Sequence, residues 1–225
     1  MGLFKGDMTK ESNKAAQILK SFVDKQKIPQ EVIANAKGIA IFTAFRAGMY
    51  FAGTSGSGIL IARLPDGTWS APSAYSVRAG GFGFVYGVDV YDCVCVLNTQ
   101  AAVDAYTSSE ITMGGSVAVA AGPLGRTGKI KDTETRPVWT YTKSRGLYGG
   151  VTVDGTVIKE KTDVNASAYG KGVTASSIVT GKVQDQSLDK WHQLAEVVKL
   201  AEGNRADGNV LGQVSTEATP GDYTE

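Results

Sequence analysis

A single histidine, His192, and two cysteines, Cys93 and Cys95, are the chain's whole stock of imidazole and thiol. That scarcity removes most metal sites and any histidine-assisted triad not built on His192. No serine sits in a G-x-S-x-G elbow. The cysteines are two positions apart in an apolar run, so in a strand they share a face and are poorly placed to bridge each other. Free thiols fit a reducing compartment. An excess of one charge is also missing, with 23 Lys and Arg against 22 Asp and Glu, which argues against bulk nucleic-acid binding. No run is long and apolar enough to span a bilayer. The start lacks the apolar stretch and cleavage site of a secretory signal. Gly2 is followed by Gly6 where a myristoylation signal needs Ser or Thr. The expectation is a cytoplasmic protein with no cofactor, no metal and no catalytic constellation.

Phosphate loops fail on spacing. In "AGPLGRTGKIK" (121–131), Gly122 and Gly128 lie one residue too far apart for a P-loop, and Ile130 stands where a hydroxyl should follow Lys129. "GGFGFVYG" (80–87) and "GTSGSG" (53–58) miss the dinucleotide pattern, and the first leads into a strand rather than a helix. These glycines are read instead as sites of turns, bulges and close backbone approach. No nucleotide is expected. Asp89 and Asp92, three apart in a strand, point to opposite faces and serve structural hydrogen bonds rather than acid–base chemistry.

What the chain does have is charge asymmetry. Its first 27 residues carry Lys5, Lys10, Lys14, Lys20, Lys25 and Lys27, while the tail from Gln184 is acidic. Such a head points to an anionic partner or to a solvated helix face. Lys10 to Gln26 reads as a helix in which Ala15, Ile18, Leu19, Phe22 and Val23 form one apolar stripe. Lysines occupy the opposite arc. A basic amphipathic helix either covers a core or lies on an anionic membrane surface.

Beyond it, Pro29 opens a short helix ended by Gly38. From Ile39 the texture is short β-rich runs and glycine turns, with "PDG" (65–67) and "VDGTV" (153–157) as turn signals. Val85 to Leu97 is apolar on both faces and reads as a central strand. Asn98 or Thr99 caps a helix, 163–179 is helical in pieces, and 187–202 is a second amphipathic helix stopped by Gly203. The fold class is α+β, a compact antiparallel β-rich core, sandwich or barrel-like, with amphipathic helices at both ends. The divisions are a basic segment 1–27, a β-rich domain 28–182, a helix 183–203 and a mobile acidic tail 204–225.

Five stretches keep the order and content of one known family. They are "IPQEVIANAKGIAIF" (28–42), "AGMYFAGTSGSGILIARLPDGTWSAPSA" (47–74), "GVDVYDCVCVLNTQAAV" (87–103), "GGSVAVAAGPLGR" (114–126) and "YTKSRGLYGGVTVDG" (141–155). Together they resemble the SYLF domain, the lipid-binding, actin-associated module of SH3- and FYVE-containing proteins. The resemblance implies binding to phosphoinositides or other anionic lipids at a peripheral membrane, through the basic N-terminal segment. In some members it also implies binding of filamentous actin, in endocytosis and membrane remodelling. Carried onto this chain, the lipid-binding residues are Lys5, Lys10, Lys14, Lys20, Lys25 and Lys27, with Ile18, Leu19 and Phe22, joined by Leu3 and Phe4, as inserting groups. Arg126, Lys129 and Lys131 are secondary candidates for phosphate contact. The sequence lacks an SH3 or FYVE module and has a tail from Gln184 with no family counterpart. The alternative is a β-rich domain that holds one lipid or other apolar ligand in an internal pocket.

Overall fold

The computed structural model describes residues 7–108, 111–119, 137–184 and 186–222, with only the backbone for 82–85, 111–119 and 146–156. Its centre is a sheet built from β1 (Gly38–Ala62), β2 (Ser73–Leu97), β3 (Ile111–Val119) and β4 (Val138–Glu160), all antiparallel in the order β1-β2-β4-β3. Around it lie α1 (Met8–Asp24), α2 (Gln30–Ala34), α3 (Gln100–Thr107), α4 (Thr162–Tyr169), α5 (Ala175–Val179), α6 (His192–Ala201) and α7 (Gly208–Leu211). The α+β class expected from the sequence is the class observed, and β2 lies inside the sheet as its apolar second half demanded.

Strands of 25, 25 and 23 residues far exceed the usual 3–10. They fit into a small domain because the sheet folds over across its middle. The pairing of β1 with β2 slips between Met49 and Phe51, and Tyr50 takes a left-handed φ of 67°. Beyond this bulge β1 runs back beside its own first half, and the Arg63 amide donates to the Lys37 carbonyl at 2.8 Å. The approach is so close that a Cβ at Gly56 would sit 2.5 Å from the Thr43 carbonyl, and one at Gly58 would overlap Ile41 and Phe42. The runs that read as separate strands are therefore two halves of one folded strand. Likewise "VDGTV" is not a turn but a continuous part of β4.

Side-chain alternation then makes two cores. Between the sheet halves lie Ala40, Phe42, Leu60, Tyr75, Val77, Cys93, Cys95 and Leu97, closed by Val103 of α3. Phe42 meets Tyr75 edge-on at 6.2 Å, and Tyr75 meets Tyr106 at 5.6 Å. The cysteines are free and buried, with 3.5 Å between the sulfurs. On the outer face Ile39, Ile41, Ile59, Ile61, Val94 and Val96 pack beneath α1, α2 and α6.

The caps are local and legible. Asp7 accepts from the Thr9 amide to start α1, and Thr99 accepts from the Ala102 amide to start α3. The late amphipathic helix is split into a 3₁₀ turn, Leu188–Lys190, and α6, with Gly203 at φ 82° behind it. The tail corrects the sequence expectation of mobility: Val214 and Thr219 are buried, and Asp207 accepts from the Asn209 amide to cap α7. Ser12, Ala15, Ala16, Ile18, Leu19 and Phe22 of α1 are all buried, and each large one contributes about 1.5–3 kcal/mol. Replacing Phe22 by Ala should therefore cost about 3–5 kcal/mol in denaturant titration, whereas Lys10→Ala should change stability by less than about 0.5 kcal/mol. A neutral Phe22→Ala would mean that α1 does not dock in solution.

Candidate functional site: the basic helix and its clasp

The basic segment is part of the folded domain. Ile18, Leu19 and Phe22 are at most 1% exposed, so the stripe assigned to membrane insertion is given over to the core, and insertion would require α1 to undock. The lysine arc faces outward. Lys10 is exposed and Lys14 half-buried, and no ion pair to either is found among the described residues. Lys20 pairs with Asp24 one turn on at 2.6 Å. Lys25 is exposed and reaches Asp222 at 3.3 Å. The Lys27 ammonium titrates below its ordinary value because burial disfavours its charge and Lys25 and Lys143 repel it, partly offset by Asp222. Lys5, Leu3, Phe4, Arg126, Lys129 and Lys131 lie outside the described residues.

What holds α1 in place was not visible in the sequence. Lys143 of β4 is only 6% exposed. Its Nζ contacts Asp222 at 2.9 Å, Asp92 at 3.7 Å and Ser21 of α1 at 2.7 Å, donates to Thr219 Oγ1, and lies 5.5 Å from the centre of the Phe22 ring. Asp92 accepts in turn from Thr43 Oγ1 at 2.6 Å and from the Gly221 amide at 2.9 Å. Gly221 is required there, since any Cβ would overlap the Lys143 carbonyl. Gln17 donates to the Glu217 carbonyl at 2.8 Å. The tail thus crosses the C-terminal half of α1 and clasps it to the sheet around one buried cation. On the opposite face of β2, Asp89 accepts both arms of Arg46 at 2.8 and 2.9 Å. Both aspartates are structural, on opposite faces, as their spacing required.

A buried charge is tolerated only when it is paired and hydrogen-bonded. Two carboxylates face Lys143, and Lys25 balances the second. Burial alone would raise the Asp222 pKa, but hydrogen bonds from Lys143, the Thr219 amide and the Thr219 hydroxyl outweigh it and hold the carboxyl far below its ordinary value. A depressed carboxylate stabilises the fold above its unfolded value, near 4, and the contribution is lost as pH falls through the folded value. Stability should therefore fall on acidification below about pH 4, and Asp222→Asn should flatten that part of the curve. Lys143→Met, which leaves Asp92 buried without its cation, should cost about 3–5 kcal/mol at neutral pH. Denaturant titrations of the three proteins at pH 7, 5 and 3 check both outcomes.

Known proteins supply the context for this arrangement. The family model described as "Ysc84: Las17-binding protein actin regulator" matches residues 78–201, and so takes in the first part of the tail from Gln184 that was expected to have no family counterpart. The chain is 43% identical over 186 residues to LAS seventeen-binding protein 3 of Saccharomyces cerevisiae, covering 77% of this chain and 40% of that protein. It is 38% identical over 212 residues to an SH3 domain-containing protein of Schizosaccharomyces pombe, covering 88% and 49%. It is 40% identical over 185 residues to SH3 domain-containing YSC84-like protein 1 of Homo sapiens, covering 78% and 54%. The chain thus spans about half the length of the curated relatives it matches. No solved structure matches at a significant level. With more than half of its residues inside the family model, the chain belongs to the Ysc84 family of Las17-binding actin regulators, the SYLF family that its five sequence stretches resemble.

Proposed function

We propose that this domain is a non-enzymatic adaptor at the cytoplasmic membrane surface. It binds phosphoinositide-containing or other anionic lipids through the outer face of α1 and places actin-regulating machinery beside them. The observation that carries this reading is the orientation of α1: its apolar face is committed to the core, and Lys10, Lys14 and Lys25 are turned away from it. A docked helix of this kind offers charge without surrendering fold stability. Each lysine near an anionic leaflet is worth about 1 kcal/mol. The link to actin rests on family membership and on relatives named for Las17 binding. The space between the sheet halves is filled by Phe42, Leu60, Tyr75 and Leu97, which favours an outer surface over a lipid held inside. No helix among the described residues is long and apolar enough to cross a membrane.

Reversing Lys10, Lys14 and Lys20 to Glu should abolish sedimentation with phosphatidylinositol bisphosphate vesicles while leaving circular dichroism unchanged. For the parent chain, binding should fall steeply with salt, because the screening length shrinks from about 10 Å at 0.1 M to about 3 Å at 1 M. Salt-insensitive binding, or full binding by the triple variant, would refute the lysine face. Sedimentation with filamentous actin, run in parallel, tests the second half of the proposal.

A further inference from the structure

The exposed large apolar side chains among the described residues all lie in one place. They are Phe45, Met49, Tyr50, Phe51, Tyr86 and Val88, with exposures from 49% to 75%. They run along the sheet from Phe45 to the line where it folds over. Met49 pairs with Tyr86 across the ladder, Ala47 with Val88, and the Tyr50 bulge lies between Met49 and Phe51. Contiguous exposed apolar surface of this kind marks a binding site.

Cross-strand register locates the strip relative to α1. On the outer face the row Thr43–Asp92–Lys143 forms the floor of the clasp. The next outer row is Phe45–Val90–Arg145, two residues or about 7 Å further along the strands. After it comes Val88, and then Met49 and Tyr86. The strip therefore starts where the cover provided by α1 and the tail ends. Lys25 meets the clasp at Asp222, and Arg145 is exposed in the first uncovered row.

Charge selects the occupant. No acidic residue occurs in 43–58, 73–88 or 138–153, the parts of β1, β2 and β4 that flank the fold line. Of the carboxylates next along these strands, Asp89 is buried and paired with Arg46 and Asp92 with Lys143, while Asp154 follows Val153 on β4 beyond the fold line. A second copy docking strip to strip would bring cation against cation. An anionic bilayer satisfies both features at once. Tyrosine suits the boundary between headgroups and acyl chains, phenylalanine the acyl side of it, and arginine and lysine the phosphates above it.

We propose that this strip is a wedge that enters the headgroup–acyl boundary of an anionic bilayer, with Arg145 and Lys25 on the phosphates. The inference takes its partner from the membrane reading above but places apolar contact on the sheet rather than on α1. Ile18, Leu19 and Phe22 then stay in the core while the protein is bound.

A tryptophan reporter placed in the bulge (Tyr50→Trp) in the full chain reads the wedge directly. On phosphatidylcholine–phosphatidylserine vesicles its emission should shift to the blue and be quenched by brominated lipid, against the constant background of the native tryptophans. Tyr86→Ser with Phe51→Ser should weaken binding to the same vesicles at least about tenfold, as expected for two partly buried rings, with circular dichroism unchanged. The lysine triple variant, built in the Tyr50→Trp background, separates the two proposals. Binding lost in the triple variant, together with an unquenched reporter in the Tyr50→Trp chain that keeps its lysines, overturns the wedge and keeps the lysine face. Retained binding with quenching keeps the wedge and overturns the lysine face. No binding by the Tyr50→Trp chain or the native one overturns both. Self-association that disappears with the serine substitutions would assign the strip to a second copy and overturn the wedge. If those substitutions destabilise the fold, the quenching measurement still decides.

Discussion

Everything else in the molecule depends on how closely the sheet can approach itself. Two glycines, Gly56 and Gly58, let the returning half of β1 run against the backbone of residues 41–44. That contact turns three very long strands into two layers with a filled interior. It also fixes which residues face outward, because alternation is inherited through the bend. The helices then need only one apolar surface, the Ile39, Ile41, Ile59, Ile61 face, and α1 and α6 share it.

The second constraint is electrostatic. Lys143 sits under the C-terminal half of α1, where an apolar residue would need no partner. Its partners come from one segment of the tail: Asp222 and Thr219 meet Lys143, and the Gly221 amide donates to Asp92 beside it. The two charged ends of the chain meet at this point. Within the fold, the basic head meets the chain's own acidic tail through Lys25 and Asp222. The lysines left facing outward, notably Lys10 and Lys14, are those the tail does not reach.

Elements set by neighbours in sequence were legible beforehand. The apolar stripe of α1, the Thr99 cap, the break after Ala201 and the apolar end of β2 all follow from local spacing. The misread features depend on distant partners. The "VDGTV" run read as a turn became strand, and of the turns, bulges and close backbone approach expected of the glycines in "GTSGSG", Gly56 and Gly58 serve the last. The tail read as mobile because Val214 and Thr219 are isolated buried positions with no period. Lys143 gave no signal, since its partners Asp92 and Asp222 are remote from it along the chain, one in β2 and the other in the tail. For α1, the sequence showed two faces but not that the core would claim the apolar one.

The order of the chain adds a temporal consequence. Helix α1 is made before the elements that cover it: the surface over its apolar face is assembled from both halves of β1, from β2 and from α6, and is locked by Asp222, which follows them all. During ribosomal synthesis, at roughly 5–20 residues per second, the helix therefore waits many seconds beside an unfinished sheet. Throughout that interval an amphipathic, lysine-rich segment travels with its greasy side uncovered. The nascent polypeptide thus passes through a stage chemically unlike the finished domain, one in which the head alone has the attributes of a surface-seeking peptide.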